Sequence, residues 1–492
     1  MRLLICVFIL LIYSCSKVEE IGPDKNLILA KVADKYITIQ DFIQRSEYTI
    51  RPDYCKKSNY IHKKIILNSL IAEKMIALEM ENRFEDTYKS KFFDYFIKGR
   101  KEQAMRQLLY NNDFFDQALI NDETVKKHYN YAGRTVNVQY INLPSLEIVE
   151  KVNYLSEDGI SLDSIYSSIW SQRIPEKSIR WVDRESDLII ESIFNENIKS
   201  GKIIGPLKTE ENSYLIMKII NWVDQPAITE EQRKIRYNDT VEKLKETKAK
   251  KTHSKWVESL MSKKKIEFNK EIFKQYAKIA GNHYLKKESD KETAINKAIW
   301  AQAENSDFPM LANSKQEKQL NLNEELFTYD GNSWSIEHFN KALLSHPLVF
   351  RKKKMGRSEF PNQLRLAIAD LIRNLEINKK CYEKELNNHW IVQSNISMWS
   401  DAYLAKKYKE IKNLKRSNDD QLINSTIDSL QLVFSDQITI NTNAFENIEL
   451  TSTDMMVTQS GVPYPIIVPS FPKLTNDDKL DYGKKMELLN EN

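Results

Sequence analysis

Glycine is scarce in this chain, 11 of 492 residues. That leaves few tight turns and no glycine-rich loop to cradle a phosphate, so P-loop and dinucleotide-binding chemistry is excluded. Cysteine is rarer still, with Cys6, Cys15, Cys55 and Cys381 only. No Cys pair exists for zinc and no disulfide framework is possible. The seven histidines, at 62, 128, 253, 283, 338, 346 and 389, are scattered with no pair at metal-ligand spacing. There is no Gly-x-Ser-x-Gly elbow, and the carboxylates show no readable pairing, so a hydrolase has no signature. Charge of one sign is missing too. Lys and Arg number 73 against 69 Asp and Glu, a net charge of +4 that leaves no footprint for nucleic acid. After residue 15 no apolar run approaches the ~17–25 residues of a spanning helix. Neither a metal nor a cofactor is expected.

What is present suffices for large cores. The apolar fraction is 41% and the charged fraction 29%, with Lys, Asn, Ile and Glu abundant. The length corresponds to roughly three domains, mainly helical. The chain opens on Met1-Arg2, an apolar run Leu3 to Ile12, and Tyr13-Ser14-Cys15. This layout resembles a bacterial lipoprotein signal, although Ile12 and Tyr13 stand where Leu and a small residue are more usual. The resemblance implies that 1–14 is removed, that Cys15 carries lipid, and that 15–27 is a polar tether. It places the protein in the cell envelope. The absence of Asp beside Cys15 favours the periplasmic side of the outer membrane. Cys6 leaves with the signal; Cys55 and Cys381 are expected as buried, idle thiols, with one disulfide the most they allow.

Ile28 to Val32 and Tyr36 to Ile39 read as two short strands around a turn, with Thr38 able to cap a helix beginning at Gln40. Leu67, Ile71, Met75 and Leu78 recur at helical spacing on one face. From Arg134 the period changes: Val136, Val138 and Tyr140 alternate with Asn137, Gln139 and Ile141, as in a half-buried strand. Tyr214 to Ile220 is a second strand candidate. Thus 28–130 reads as a helical lobe, 131–225 as an inserted α+β unit, and 226–284 as a helix returning to the lobe. The lysine-rich stretch Lys243 to Lys265 reads as a solvated helix face, given its acidic residues and Trp256. Residues 285–322 read as a linker.

The chain also restates itself. Ala33 to Phe42 has a counterpart in Tyr329 to Phe339, and the helix Leu70 to Ile76 one in Leu371 to Ile377. Ile266-Glu267-Phe268-Asn269 with Phe273 matches Ile438-Thr439-Ile440-Asn441 with Phe445 at identical spacing. Three matches in one order indicate a duplication. The second copy, 323–450, lacks the α+β insert. A tail, 451–492, follows, with Pro463, Pro465, Pro469 and Pro472 around Tyr464, Ile466, Ile467 and Val468. It reads as an extended strip laid on the body or on a partner, ending after Leu474 in a disordered charged end.

Together these pieces resemble the SurA/PrsA-type family of extracytoplasmic folding factors, in which a helical chaperone lobe carries an inserted parvulin-type domain. Val32 to Phe42 followed by the Leu70–Leu78 helix carries the lobe resemblance. Val138 to Leu143, Arg180-Trp181, Ile193-Phe194, Ile198 to Leu207 and Ser213 to Ile219 carry that of the insert. The resemblance implies a fold that is mainly α with an inserted α+β parvulin-like domain, and peptidyl-prolyl isomerase ancestry. In active parvulins two central strands present a pair of histidines. The matching positions here are Tyr140 (or Gln139, one register away) and Leu215, and no histidine lies between His128 and His253.

Rotation about X-Pro faces a barrier of ~18–20 kcal/mol, lowered by an apolar slot with placed polar groups. Leu215 supplies none. Candidate slot residues are Tyr140, Leu188, Ile190, Phe194 and Leu215, which read equally well as ordinary core. The implied function is a lipid-anchored, ATP-independent holdase for unfolded exported or outer-membrane polypeptides, with weak or absent isomerase activity. An isomerase using Tyr140 and a scaffold lipoprotein bound to an envelope protein partner remain as alternatives.

Overall fold

The computed structural model describes residues 27–57, 59–83, 91–183, 185–209, 213–285, 320–352, 355–412, 420–451, 455–478 and 484–485. The signal-like segment, Cys15 and nearly all of the expected linker lie outside the described residues.

Strands β1 (Ile28–Val32) and β2 (Lys35–Thr38) form a hairpin whose turn holds Ala33 at φ 53°. Thr38 starts α1 (Ile39–Glu47). Its Oγ1 accepts from Asp41 N at 2.9 Å while Asp41 Oδ2 accepts from Thr38 N at 3.1 Å, a reciprocal cap. Helices α2 (Tyr60–Arg83) and α3 (Lys91–Tyr110) follow, and α3 runs on into a π-turn at Asn111–Phe115. After α4 (Asp122–Ala132) comes the insert: β3 (Arg134–Leu143), α5 (Leu146–Glu157), α6 (Leu162–Trp170), β4 (Glu176–Arg180), α7 (Asp187–Ile193), β5 (Ile203–Lys208) and β6 (Tyr214–Asp224). Its antiparallel sheet has the order β4-β3-β6-β5. The chain leaves through α8 (Glu230–Met261), β7 (Ile266–Phe268) and α9 (Lys270–Tyr284). It resumes with β8 (Glu325–Tyr329), β9 (Asn332–Ser335), α10 (Ile336–Ser345) and α11 (Phe360–Glu383). It then passes through α12 (Trp390–Ile411), α13 (Asp420–Phe434), β10 (Ile438–Ile440), α14 (Thr442–Asn447) and β11 (Lys484–Lys485). The described chain is mostly helical with small sheets, compatible with a mixed α and α+β fold.

The segments matched in the sequence pair in exchanged form. β10 pairs with β1 and completes the first sheet, whereas β7 pairs with β8 and completes the third. The matched residues do matched work: Asn441 N donates to Leu29 O at 2.8 Å, and Asn269 N donates to Leu326 O at 3.1 Å. Likewise Ala33 N donates to Gln437 O and Asp330 N to Lys265 O, each at 3.0 Å. Asn441 and Asn269 then cap α14 and α9, and Phe445 and Phe273 are buried beneath the strands they close. The cores follow this exchange. One joins β1, β2, α1, α2 and the start of α3 to residues 398–474, and another joins α9 to β8, β9, α10 and α11. The expected return of 226–284 to the first lobe is therefore only partial. Trp256, Val257 and Leu260 of α8 pack on Ala104, Met105 and Leu108 of α3, while β7 and α9 belong to the second lobe.

α2 departs from the expected single apolar face, for every residue from Ile65 to Met80 is buried. It is enclosed by α12, α13 and the tail, which is the setting of a helix apolar on all sides. Its charged residues are paired internally. Arg45 holds Glu73 through two hydrogen bonds of 2.8 and 3.0 Å, and Asp401 receives Lys74 at 2.6 Å and Lys35 at 2.9 Å.

The tail strip lies on the body. Tyr464, Ile466, Val468, Phe471 and Leu474 are buried in the first core. Side chains of the lobe reach the strip's carbonyls: Gln103 to Tyr464 O, Arg100 to Ile466 O, Arg45 to Ser470 O and Lys409 to Pro472 O, at 2.7–3.0 Å. Past Leu474 the strip continues in contact, with Asn68 donating to Asp477 O at 2.9 Å, and β11 later pairs in parallel with β10.

Candidate functional site

Two regions are candidates: the face of the insert sheet and a cleft between the lobes. In the sheet, β3 is central, and its alternation sends Val136, Val138 and Tyr140 to one side and Ile141 and Leu143 to the other. The first side meets Met217, Ile219 and Leu215 of β6 and is covered by Ile190, Ile193, Phe194 and Trp181. The second is covered by α5 and α6 through Val149, Val152, Leu162 and Ile165. Tyr140 sits opposite Met217, and Leu215 opposite Asn142, so Tyr140 and Leu215 are diagonal neighbours on one face. The alternative position, Gln139, is on the opposite face, where its amide donates to Asp163 and Glu176.

Ile190, Phe194 and Leu215 are closed into this core, with Tyr140 half-buried at its edge. Leu188, expected in the slot, is instead 53% exposed, and Ile189 packs on the core. α7 begins at the Ser186 cap, and its short helical turn sends Leu188 outward while Ile190 and Ile193 go in. The slot residues thus act as packing, and the only polar side chain among them is the Tyr140 phenol.

The cleft encloses about 1340 Å³ between α3 with its π-turn, α8, α11 and the tail turn 459–463. Its lining divides by element. α8 supplies Glu242, Glu246 and Glu258 together with Lys250, which pairs with Glu246 at 2.8 Å, and Arg106, Arg351 and Arg373 come from α3, the loop after α10, and α11. Apolar lining comes from Tyr110, Phe115, Val257, Ile377, Val462 and Pro463. His253 is packed among the rings of Tyr110, Phe114 and Trp256 at 5.0–5.7 Å, and burial lowers its pKa.

Through Arg106 the cleft wall connects to a buried polar node linking α3 to the second lobe. Glu102 takes Asn378 Nδ2 at 2.6 Å and Tyr382 OH at 3.1 Å, and His346 Nε2 lies 2.7 Å away. Burial alone would raise the Glu102 pKa, but His346, Lys98 and Tyr382 together bring it below the usual carboxylate range. Arg106 donates to Asn378 Oδ1 at 2.6 Å, and burial lowers its guanidinium pKa to about 10. The node orients both lobes, and the cleft above it offers charge of both signs beside apolar surface.

Among the described residues no three His, Cys, Asp or Glu side chains gather as a metal site. Cys55 and Cys381 are buried thiols, and burial raises the Cys381 thiol to about 11. The cleft was not read from the sequence, because its walls come from segments far apart in the chain. The one local signal was the proline-rich tail, whose turn forms a lip.

No protein-family model matches the chain, and no curated protein matches it. Among solved structures it is similar to foldase protein PrsA from Streptococcus pneumoniae, at 10% identity and a TM-score of 0.20, over 45% of this chain and 91% of that one. It is similar to PrsA from Lactococcus lactis at the same identity and score, over 47% and 92% respectively. At a TM-score of 0.20 these likenesses carry no conclusion about fold or function.

Proposed function

We propose that the protein is a lipid-anchored extracytoplasmic folding factor that acts as an ATP-independent holdase, with an insert of parvulin ancestry that has lost isomerase activity. The observation that carries this reading is the inter-lobe cleft. It has volume for an extended polypeptide segment, charge of both signs and interspersed apolar side chains, a lining suited to varied sequences. In the insert, the two positions that the parvulin resemblance assigns to histidines hold Tyr140 and Leu215 on one packed face, which supports binding or structure over catalysis. The proposed clients are unfolded exported polypeptides.

The test is refolding of a proline-limited model protein, with aggregation suppression measured on the same sample. We expect aggregation to be suppressed while the slow proline phase keeps its rate. Acceleration of that phase, abolished by Tyr140→Phe, would instead establish an isomerase working through the phenol. Failure of both assays, with stable co-purification of one envelope protein, would replace the holdase with a scaffold.

A further inference from the structure

Among the described residues, four large apolar side chains are exposed within about twelve positions of the first lobe. Ile50 (54% exposed), Tyr54 (38%), Tyr60 (45%) and Ile61 (52%) occupy the turn after α1 and the first turn of α2. The stretch is a compact knuckle. Cys55 N donates to Pro52 O at 3.0 Å, and Lys57 N reaches His62 Nδ1 at 2.8 Å. Lys56 and Lys57 are exposed on it, Asp53 lies 3.9 Å from Lys56, and the exposed Glu446 and Glu449 act on Lys63 from beside α14. Lys64 Nζ lies over the Tyr60 ring at 4.8 Å. Exposed tyrosine and isoleucine with lysine beside them suit a lipid headgroup boundary, where phenol rings and aliphatic tips enter and ammonium groups meet phosphate.

The position of this knuckle relative to the chain start identifies the occupant. Tyr60 packs on Phe445 at 5.7 Å between ring centroids. Phe445 belongs to α14, whose cap Asn441 donates to Leu29 O. The point where the folded body begins, at Leu27, is therefore at the same end of the lobe as the knuckle. Between Cys15 and Leu27 the chain can span at most about 40 Å when extended. A lipid on Cys15 would hold this end of the molecule within that distance of a membrane.

We propose that the face formed by residues 50–64 rests on an anionic lipid surface and fixes the orientation of the body above it. The choice of occupant rests on reading Cys15 as the lipid-bearing residue. Docking through exposed Ile and Tyr is reversible and salt-sensitive, since the lysines act through screened attraction. Other exposed apolar residues, such as Leu146 and Ile169 on the insert, have no tether beside them and serve as controls.

The test uses the processed chain without lipid, residues 16–492, and vesicles of phosphatidylethanolamine and phosphatidylglycerol at three to one. The protein should co-sediment with them and release in high salt. Ile50→Ser with Ile61→Ser should lower partitioning about tenfold, while Leu146→Ser with Ile169→Ser leaves it unchanged. Lys56→Glu with Lys57→Glu should weaken binding several-fold on these vesicles and not on pure phosphatidylcholine. No co-sedimentation, or equal loss from the knuckle and insert variants, overturns the proposal. The anchor is read separately, from the mass of the protein extracted from membranes. An unmodified Cys15 with vesicle binding intact removes the anchor and keeps the surface, and a lipidated Cys15 with no vesicle binding does the reverse.

Discussion

Asp401 shows how much can rest on one side chain. It is fully buried on α12 and shared by Lys74 and Lys35, with Ser397 donating to Oδ2 at 3.0 Å. Burial pushes its pKa upward, but Lys74 and Lys35 outweigh that and bring it below the usual range. A depressed carboxylate contributes stability that is complete above its unfolded pKa of about 3.9 and is lost as pH falls through the folded value. Urea midpoints should therefore drop as pH falls from 5 to 3. Asp401→Asn should cost about 3–5 kcal/mol at pH 7 by leaving the buried Lys74 ammonium without its carboxylate, while Lys35 keeps Glu81, and should flatten the acid limb. Gly99 is the second case, because a Cβ there would meet Ser345 O at 2.0 Å and Tyr464 Oη at 2.1 Å. Gly99→Ala is expected to lose about 1–3 kcal/mol in a urea titration, where helix propensity alone would predict a gain. Neither role was legible in the sequence, since partners hundreds of positions away define both. The alternation of Val136, Val138 and Tyr140 was legible, because a strand's faces are set by local period. Leu188 was misplaced because a helix of seven residues has too little pattern to fix its phase.

At the level of elements, the repeated strand–helix motif was recognisable while its partner was not. Ile266 to Phe273 and Ile438 to Phe445 share Ile, Asn and Phe at the same spacing, so either could close either sheet. Neighbours in sequence usually pair, which favours joining the first motif to β8, the next strand in the chain, and this is the pairing found. The reach of α8 agrees with it: 32 helical residues extend about 48 Å before β7. Hydrogen exchange checks this directly. Ile440→Asp should speed exchange in β1 and β2 while sparing β8 and β9, and Phe268→Asp should do the opposite. Exchange in β1 responding to Phe268→Asp would mean that each half closes on itself.

For the whole molecule, the cleft is the feature to which lobes, helix and tail all contribute, and its chemistry is read best by changing the lining and leaving the cores intact. Phe115→Ser with Val462→Asp should at least halve aggregation suppression while leaving the melting temperature within a few degrees, as expected for partly exposed positions. The mainly helical content, the strand alternation from Val136 and the repeated Ile, Asn and Phe spacing were visible as periodicity and repetition. The cleft was not, because volume between elements has no sequence period. The tail was visible as a strip but not as core, for its five buried side chains alternate with prolines in no regular pattern. The exchanged ends also set an order of assembly. A chain made from its amino end can complete its middle before its beginning. The hairpin synthesised first stays an open edge until the last strand and the tail arrive. A copy clipped or stalled short of Ile438 has nothing to cover that edge, so it remains recognisably unfinished to proteases that act on exposed strands, and completeness of the chain is checked by its own closure.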